Sequence, residues 1–141
     1  MERMLVKEIM NTRLVKIKPS QTVYDAAFLL RENKVGSIIV EENDTVLGFI
    51  TKRDIIGGTT LEHKNPDTTP LSEIMVKDII TINPLENITK ALELMEKHKI
   101  KKLLVEKNSE IIGIITLTDI SKNTREVTRR VIDTCFIEQT H

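Results

Sequence analysis

The sequence reads Gly48-Phe49-Ile50-Thr51-Lys52-Arg53-Asp54 near its centre and Gly113-Ile114-Ile115-Thr116-Leu117-Thr118-Asp119 65 residues later. Both segments follow the pattern Gly-apolar-Ile-Thr-x-x-Asp. The same shift superposes the flanking sequence without a gap, so that Glu8-Ile9-Met10 meets Glu73-Ile74-Met75 and Pro19 meets Pro84. An ungapped match over about fifty residues indicates an internal duplication. Two copies are too few for a solenoid and suit a closed, pseudo-two-fold pair.

Each copy has the residue pattern of a β-α-β-β-α unit. We expect extended segments at 14–17 and 79–82, then helices capped by Thr22 and Asn87, whose side chains accept hydrogen bonds from free backbone N–H groups. Apolar runs predict strands over 37–40 and 47–51, repeated over 103–105 and 112–116. The last helices are expected to begin around Asp54 and Asp119, and Gly57-Gly58 is expected to end the first. The predicted fold class is α/β (α+β), built from tandem repeats.

The duplication also predicts the domain organisation. The first repeat covers 5–58, a polar connector covers 59–69, the second repeat covers 70–124, and 125–141 forms a C-terminal helix or tail. Val23, Ala26, Ala27 and Leu30 form one predicted apolar helix face, and Ile88, Ala91, Leu92 and Met95 form its counterpart. These faces suggest a homodimer.

Composition narrows the possible functions. The chain of 141 residues is 40% apolar and 30% charged, which is typical of a globular protein. Its 21 basic and 21 acidic residues cancel, which argues against bulk attraction to nucleic acid or an anionic membrane. No apolar run approaches the ~18 residues of a membrane span. Cys135 is the lone cysteine and cannot form an internal disulfide, so we expect a cytoplasmic protein.

The Thr-x-x-Asp turn allows two interpretations. A hydroxyl and free N–H groups at the start of a helix favour phosphate, and a carboxylate three residues later can accept hydrogen bonds from both hydroxyls of a ribose. Thr and Asp at a helix start are also ordinary caps. Duplication preserves a cap as well as it preserves a binding site, so the residues alone leave both interpretations open.

The duplicated pattern resembles the cystathionine-beta-synthase-type (CBS) domain pair, also called a Bateman module. The resemblance extends over about residues 5 to 121 and rests on Ile-Met near each start, Pro before an Ala-containing helix, and Gly-x-x-Thr-x-x-Asp. It implies two α/β units whose clefts bind adenosine compounds such as AMP, ADP, ATP or S-adenosylmethionine. We therefore expect a regulatory module that has an adenine nucleotide as ligand, needs no obligatory cofactor, and acts on an unidentified protein in trans.

The resemblance also implies which residues bind the ligand. It assigns the two turns, the backbone before each middle strand, and one residue in each extended segment that precedes a Pro. These residues are Thr51, Lys52, Arg53, Asp54, Thr116, Leu117, Thr118, Asp119, Val35, Gly36, Ser37, Ile100, Lys101, Lys102, Lys16 and Thr81.

The copies differ where the family pattern puts the ligand. Lys52-Arg53 corresponds to Leu117-Thr118, and Gly36-Ser37 corresponds to Lys101-Lys102, where the family often has small residues. We therefore expect two unequal sites, with a cationic edge from Arg53 at one and from Lys101 at the other. The alternative for these basic residues is a solvated surface.

An enzyme, a structural or interaction module and a nucleic-acid-binding protein are the alternatives to a nucleotide sensor. The repeated positions provide no nucleophile–base pair, and His63, His98 and His141 show no metal-ligand spacing. We therefore expect no catalytic residue, no metal site and no enzymatic activity. Of the remaining alternatives, the first is a structural or interaction module without ligand binding, and the second is a nucleic-acid-binding relative, whose binding would depend on salt.

Overall fold

A computed structural model describes residues 3–123 and Cys135. The chain folds into two compact units. We call Leu14–Ile79 the central unit, and we call the combination of Met1–Arg13 and Ile80–His141 the terminal unit because it contains both ends of the chain. The predicted bounds of the repeats, 5–58 and 70–124, concern the duplication in the sequence and differ from the bounds of these folded units.

Each unit contains the β-α-β-β-α order that the sequence predicts. In both, a two-residue strand pairs in parallel with the middle strand, which pairs antiparallel with the third. The central unit contains β1 (Lys16–Ile17), α2 (Val23–Asn33), β2 (Ser37–Glu42), β3 (Thr45–Thr51) and α3 (Lys52–Ile55). The terminal unit contains α1 (Val6–Ile9), β4 (Thr81–Ile82), α4 (Ile88–His98), β5 (Lys102–Lys107), β6 (Glu110–Thr116) and α5 (Leu117–Asn123).

The long helices begin where their caps predict. Thr22 accepts a hydrogen bond from the Asp25 N–H at 3.2 Å, and Asn87 accepts one from the Thr89 N–H at 2.9 Å. Val23, Ala26 and Leu30 of the predicted α2 face are buried, whereas Ala27 is half-buried. All four residues of the predicted α4 face are fully buried. Both faces therefore pack inside their own units, so they provide no support for the predicted homodimer.

Tight turns lengthen the strands beyond their predicted ends. Asn43 and Asp44 have φ angles of 52° and 62°, and Asn108 and Ser109 have φ angles of 52° and 64°. Two successive positive φ angles define the type I′ hairpin turn, which Asn and Asp tolerate because their short side chains fit the left-handed region. The turn leaves only two residues unpaired, so β2 and β3, and likewise β5 and β6, extend to its edges.

The two sequence copies exchange equivalent short segments. Val6 of α1 is fully buried in the core of the terminal unit, and its N–H donates to the Glu86 carbonyl at 2.9 Å. Leu71, which lies 65 positions after Val6, is fully buried in the core of the central unit. It lies in a 3₁₀ turn, Leu71–Glu73. Each sequence copy thus supplies its Ile-Met segment to the folded unit that contains the other copy.

Backbone pairing anchors both exchanged segments. Asn11 and Ile114 exchange two hydrogen bonds at 2.8 and 3.0 Å, and Phe49 and Val76 exchange two at 2.8 and 3.1 Å. The numbers again differ by 65 on each side. Each segment therefore extends its sheet by one bridge beside the strand that leads into a Thr-x-x-Asp turn.

The end of the first copy differs from the prediction, and the connector makes contacts with α2. The helical path does not stop at Gly57-Gly58 but continues from α3 as a π-helical turn over Ile56–Thr60. Its end is set by packing, since Thr59 is buried and Gly58 lies against the Ile74 side chain. The polar connector also caps α2, because the Val23 and Tyr24 N–H groups donate to the Thr69 and Pro66 carbonyls at 3.1 and 3.0 Å.

The C-terminal prediction is described only in part. The predicted helix or tail over 125–141 lies outside the described residues except for Cys135. Cys135 itself is helical and half-buried, and it packs against the core of the terminal unit. Within the described part of the chain, no helix is long and apolar enough to cross a membrane.

Candidate functional site

The Thr51 turn of the central unit is closed by its own side chains. Thr51 caps α3 by accepting a hydrogen bond from the Asp54 N–H at 3.3 Å. In return, Asp54 Oδ2 accepts from the Thr51 N–H and from the Thr51 hydroxyl, both at 2.8 Å. This arrangement is a capping box, which satisfies backbone donors at the start of a helix. The helix accordingly begins at Lys52, two residues before the predicted start at Asp54.

The Thr116 turn of the terminal unit has the same geometry. The Asp119 N–H donates to Thr116 Oγ1 at 3.1 Å, and the Thr116 N–H donates to Asp119 Oδ2 at 3.0 Å. Helix α5 begins at Leu117, again two residues earlier than predicted. The Thr and the Asp of each turn are half-buried. The capping interpretation is therefore geometrically realised in both copies.

The capping box uses only one of the two oxygens of each Asp carboxylate. In each turn only Oδ2 of the Asp accepts a hydrogen bond among the described residues. The second oxygen remains an acceptor, and an ionised carboxylate has room for several donors. The capping box holds the Asp side chain in one orientation, so a cap and a ligand contact can coexist in the same residue.

The predicted strand-start segments lie beside the turns. Ser37 pairs with Thr51 across β2 and β3, and Lys102 pairs with Thr116 across β5 and β6. In the terminal unit the Leu117 N–H also donates to the Lys101 carbonyl at 2.9 Å. The register thus brings the predicted segments 35–37 and 51–54 together in one unit, and 100–102 and 116–119 together in the other.

Lys16 and Thr81 lie one strand further from the turns. Lys16 pairs with Ile39 and Thr81 with Leu104. The Lys16 ammonium forms an ion pair with Glu41 at 3.0 Å, a contact that the sequence analysis missed. Parallel register depends on packing across the sheet, and no local pattern of residues reports it.

A depression of about 500 Å³ surrounds this ion pair. It lies around β1 and the β2–β3 hairpin and does not include the Thr51 turn. Its lining combines charged and polar side chains with one apolar residue: Lys16, Ile17, Lys18, Ser20, Gln21, Glu41, Glu42, Asn43 and Asp44.

The middle residues of the two turns have different environments. Lys52 and Arg53 are exposed, and neither forms an ion pair among the described residues. At the position of Lys52, the terminal unit has Leu117, which is only 2% exposed and belongs to the hydrophobic core. Thr118, at the position of Arg53, is exposed. The two turns therefore differ in sequence, as predicted, and also in which of their side chains are accessible to a ligand.

The described histidine side chains lie far apart in the sequence and on different elements of the fold. His98 is the exposed last residue of α4, and His63 is exposed in the connector. Among residues 3–123 and Cys135, no group of three or more His, Cys, Asp or Glu side chains is placed to hold a metal ion.

Comparison with known proteins agrees with the duplicated architecture. The family model for the CBS domain matches residues 6–58 and again residues 71–126. The CBS domain-containing protein YhcV of Bacillus subtilis is 34% identical over 118 residues, which cover 84% of each chain.

Solved structures show the same fold. An uncharacterized conserved protein from Pyrococcus horikoshii has a TM-score of 0.82 and 35% identity, covering 89% of this chain and 96% of that one. A hexameric CBS-CP12 protein from bloom-forming cyanobacteria has a TM-score of 0.80 and 30% identity, and the match covers 90% of this chain and 75% of that one. The two family matches, one for each copy of the repeat, show that the chain is a CBS-domain pair and belongs to the CBS domain family.

Proposed function

We propose that this CBS-domain pair is a regulatory sensor that binds an adenosine compound, namely AMP, ADP, ATP or S-adenosylmethionine, at its Thr-x-x-Asp turns. CBS-domain pairs are typically regulatory, ligand-binding modules, and proteins made of such pairs alone are generally not catalysts. The observation that carries the proposal is the same in both units. A half-buried carboxylate is held in one orientation, one of its oxygens accepts no hydrogen bond from the described residues, and the start of a middle strand is its neighbour.

The proposed contacts follow from this geometry. Oδ1 of Asp54 or Asp119 would accept hydrogen bonds from ribose hydroxyls, because each Oδ2 is already held by the cap. The backbone at Val35-Gly36-Ser37 and at Ile100-Lys101-Lys102 would face the base. Lys16 and Thr81 would complete the edges, and Lys16 would have to give up its ion pair with Glu41 to do so.

The proposed output acts on another protein. A ligand shifts a conformational equilibrium only by the difference between its affinities for the two states. We propose that nucleotide binding favours one conformation of the pair, and that an unidentified protein or a second copy responds to that conformation. Homodimerisation remains part of this proposal, and Tyr24 and Phe28 are exposed apolar residues on α2 that a second copy could cover.

Calorimetric titration with AMP, ATP and S-adenosylmethionine tests the proposal through Asp54→Ala and Asp119→Ala. Hydrogen bonds to a charged group contribute about 1.5–3 kcal/mol, so we expect at least one ligand to lose about tenfold or more in affinity in at least one variant. Both substitutions also remove part of a cap, and the chain supplies a matched control for that loss.

Asp25→Ala is the control, because Thr22 and Asp25 form the same capping box on α2, outside the predicted site. It should lower thermal stability as the other two variants do, and leave ligand affinity unchanged. Equal affinities in wild type and in both site variants would contradict the assignment of the carboxylates. The absence of a thermal shift with every ligand at millimolar concentration would instead favour an interaction module without ligand binding.

A further inference from the structure

The middle positions of the two turns carry a difference in charge that bears on which ligand each unit binds. Lys52 and Arg53 are both exposed and form no ion pair within the described part of the chain. Their only close acidic neighbour in sequence, Asp54, is held by Thr51 in the capping box. Two cations thus stand beside the carboxylate that is proposed to bind ribose.

The terminal unit lacks this feature at the equivalent positions. Leu117 is 2% exposed and packs in the core with Leu92, Met95 and Ile120, so its side chain is not available to a ligand. Thr118 is exposed but uncharged. Lys101 and Lys102 are half-buried, and each already makes a further interaction within the protein. The turn of the terminal unit therefore has no cation at its two middle positions, whereas the turn of the central unit has two.

We infer that the two turns bind different parts of a nucleotide. In the central unit, Arg53 and Lys52 bind the phosphate. In the terminal unit, the turn binds the nucleoside part and makes no contact with a phosphate. The inference rests on the proposed function. An arginine guanidinium donates two parallel hydrogen bonds to a phosphate, and an exposed ammonium adds a point charge. Neither contact has an equivalent at Leu117 and Thr118.

The experiment compares AMP with adenosine, which differ by the phosphate alone. Asp119→Asn leaves the central turn intact, and Asp54→Asn leaves the terminal turn intact. The measured quantity is the ratio of the adenosine Kd to the AMP Kd in each protein. We expect a ratio of about ten or more in Asp119→Asn, falling at high salt because the cations are exposed, and a ratio near one in Asp54→Asn.

Charge substitutions then test the residues themselves. In the Asp119→Asn background, the double substitution Lys52→Gln/Arg53→Gln should lower the ratio of the two Kd values at least threefold. Lys18→Gln is the control, because it removes an exposed cation of the same unit outside the turn, and it should leave this ratio unchanged. Thr118→Arg in the Asp54→Asn background restores an arginine at the equivalent exposed position and should raise the ratio. This gain of phosphate preference does not depend on the stability of the Lys52→Gln/Arg53→Gln variant.

The outcomes separate this inference from the proposed function. Binding of both ligands with a ratio that the Lys52→Gln/Arg53→Gln change leaves unaltered would overturn the inference alone. An equal phosphate preference in Asp54→Asn and Asp119→Asn would also overturn it. Failure of AMP and adenosine to bind the wild-type chain would overturn the inference, and the proposed function would fail with it only if ADP, ATP and S-adenosylmethionine also did not bind.

Discussion

At the scale of single residues, Gly48 and Gly113 show how close the exchanged segments approach the strands that carry the turns. A Cβ atom at Gly48 would overlap the Val76 carbonyl oxygen, and one at Gly113 would lie 2.9 Å from Met10 Sδ and 3.1 Å from the Asn11 carbonyl oxygen. A backbone oxygen held in a bridge cannot move aside, whereas a methionine side chain is flexible. Glycine is therefore required at Gly48 because of packing, and less strictly so at Gly113.

Substitution of these glycines should separate the two cases. Gly48→Ala should destabilise the central unit by about 1–3 kcal/mol, the range for overpacking, and Gly113→Ala should cost less. Gly57→Ala is the control, because a Cβ there would meet nothing within 4 Å. Urea denaturation gives the free energies of unfolding. Equal stability of Gly48→Ala and Gly57→Ala would show that the segment around Val76 does not lie against β3 in solution.

At the scale of the elements, the same local patterns form in both copies but pack on unexpected partners. Each capping box, hairpin turn and helix face uses residues that are close in sequence, and the predicted caps are confirmed at Thr22 and Asn87. The short helical turns at Val6 and Leu71 instead pack on the unit formed by the other copy. Their burial depends on contacts across the chain.

Hydrogen exchange tests this crossed packing directly. Leu71→Ala removes a fully buried side chain and should cost about 2–5 kcal/mol. Although Leu71 belongs to the second sequence copy, we expect faster amide exchange in β2 and β3 of the central unit.

Val6→Ala is the reciprocal variant. It should accelerate exchange in β5 and β6 and leave β2 and β3 protected. Mass spectrometry of peptic fragments resolves these regions. Faster exchange confined to each residue's own sequence copy would contradict the exchanged arrangement.

At the scale of the whole molecule, the units of folding and the units of duplication are offset. The central unit spans Leu14–Ile79, whereas the family model begins its two matches at 6 and 71. A repeat cut at its sequence boundary loses the segment that completes its core. Each copy therefore depends on the other for the segment that completes its core.

Fragments with different ends should reveal this offset. The fragment 14–79 retains Leu71 and the Phe49–Val76 bridge, so it should unfold cooperatively when heated, although small domains of this size are only marginally stable. The fragment 5–58 lacks both and should show little cooperative structure. Circular dichroism and amide dispersion in NMR spectra make the comparison. A cooperative transition in 5–58 and none in 14–79 would refute the offset.

The amino-acid sequence by itself determined the duplication, because the two copies can be compared directly with each other. It also determined the β-α-β-β-α order, the caps and the two Thr-x-x-Asp turns, because these features depend on residues within a few positions of one another. Only the tertiary structure decided which unit receives each Ile-Met segment, and it placed Leu117 in the core and paired Lys16 with Glu41. Such contacts join residues that are far apart in the chain. Their register is set by packing and by backbone pairing between strands, and a periodic pattern in one segment carries no information about its distant partner.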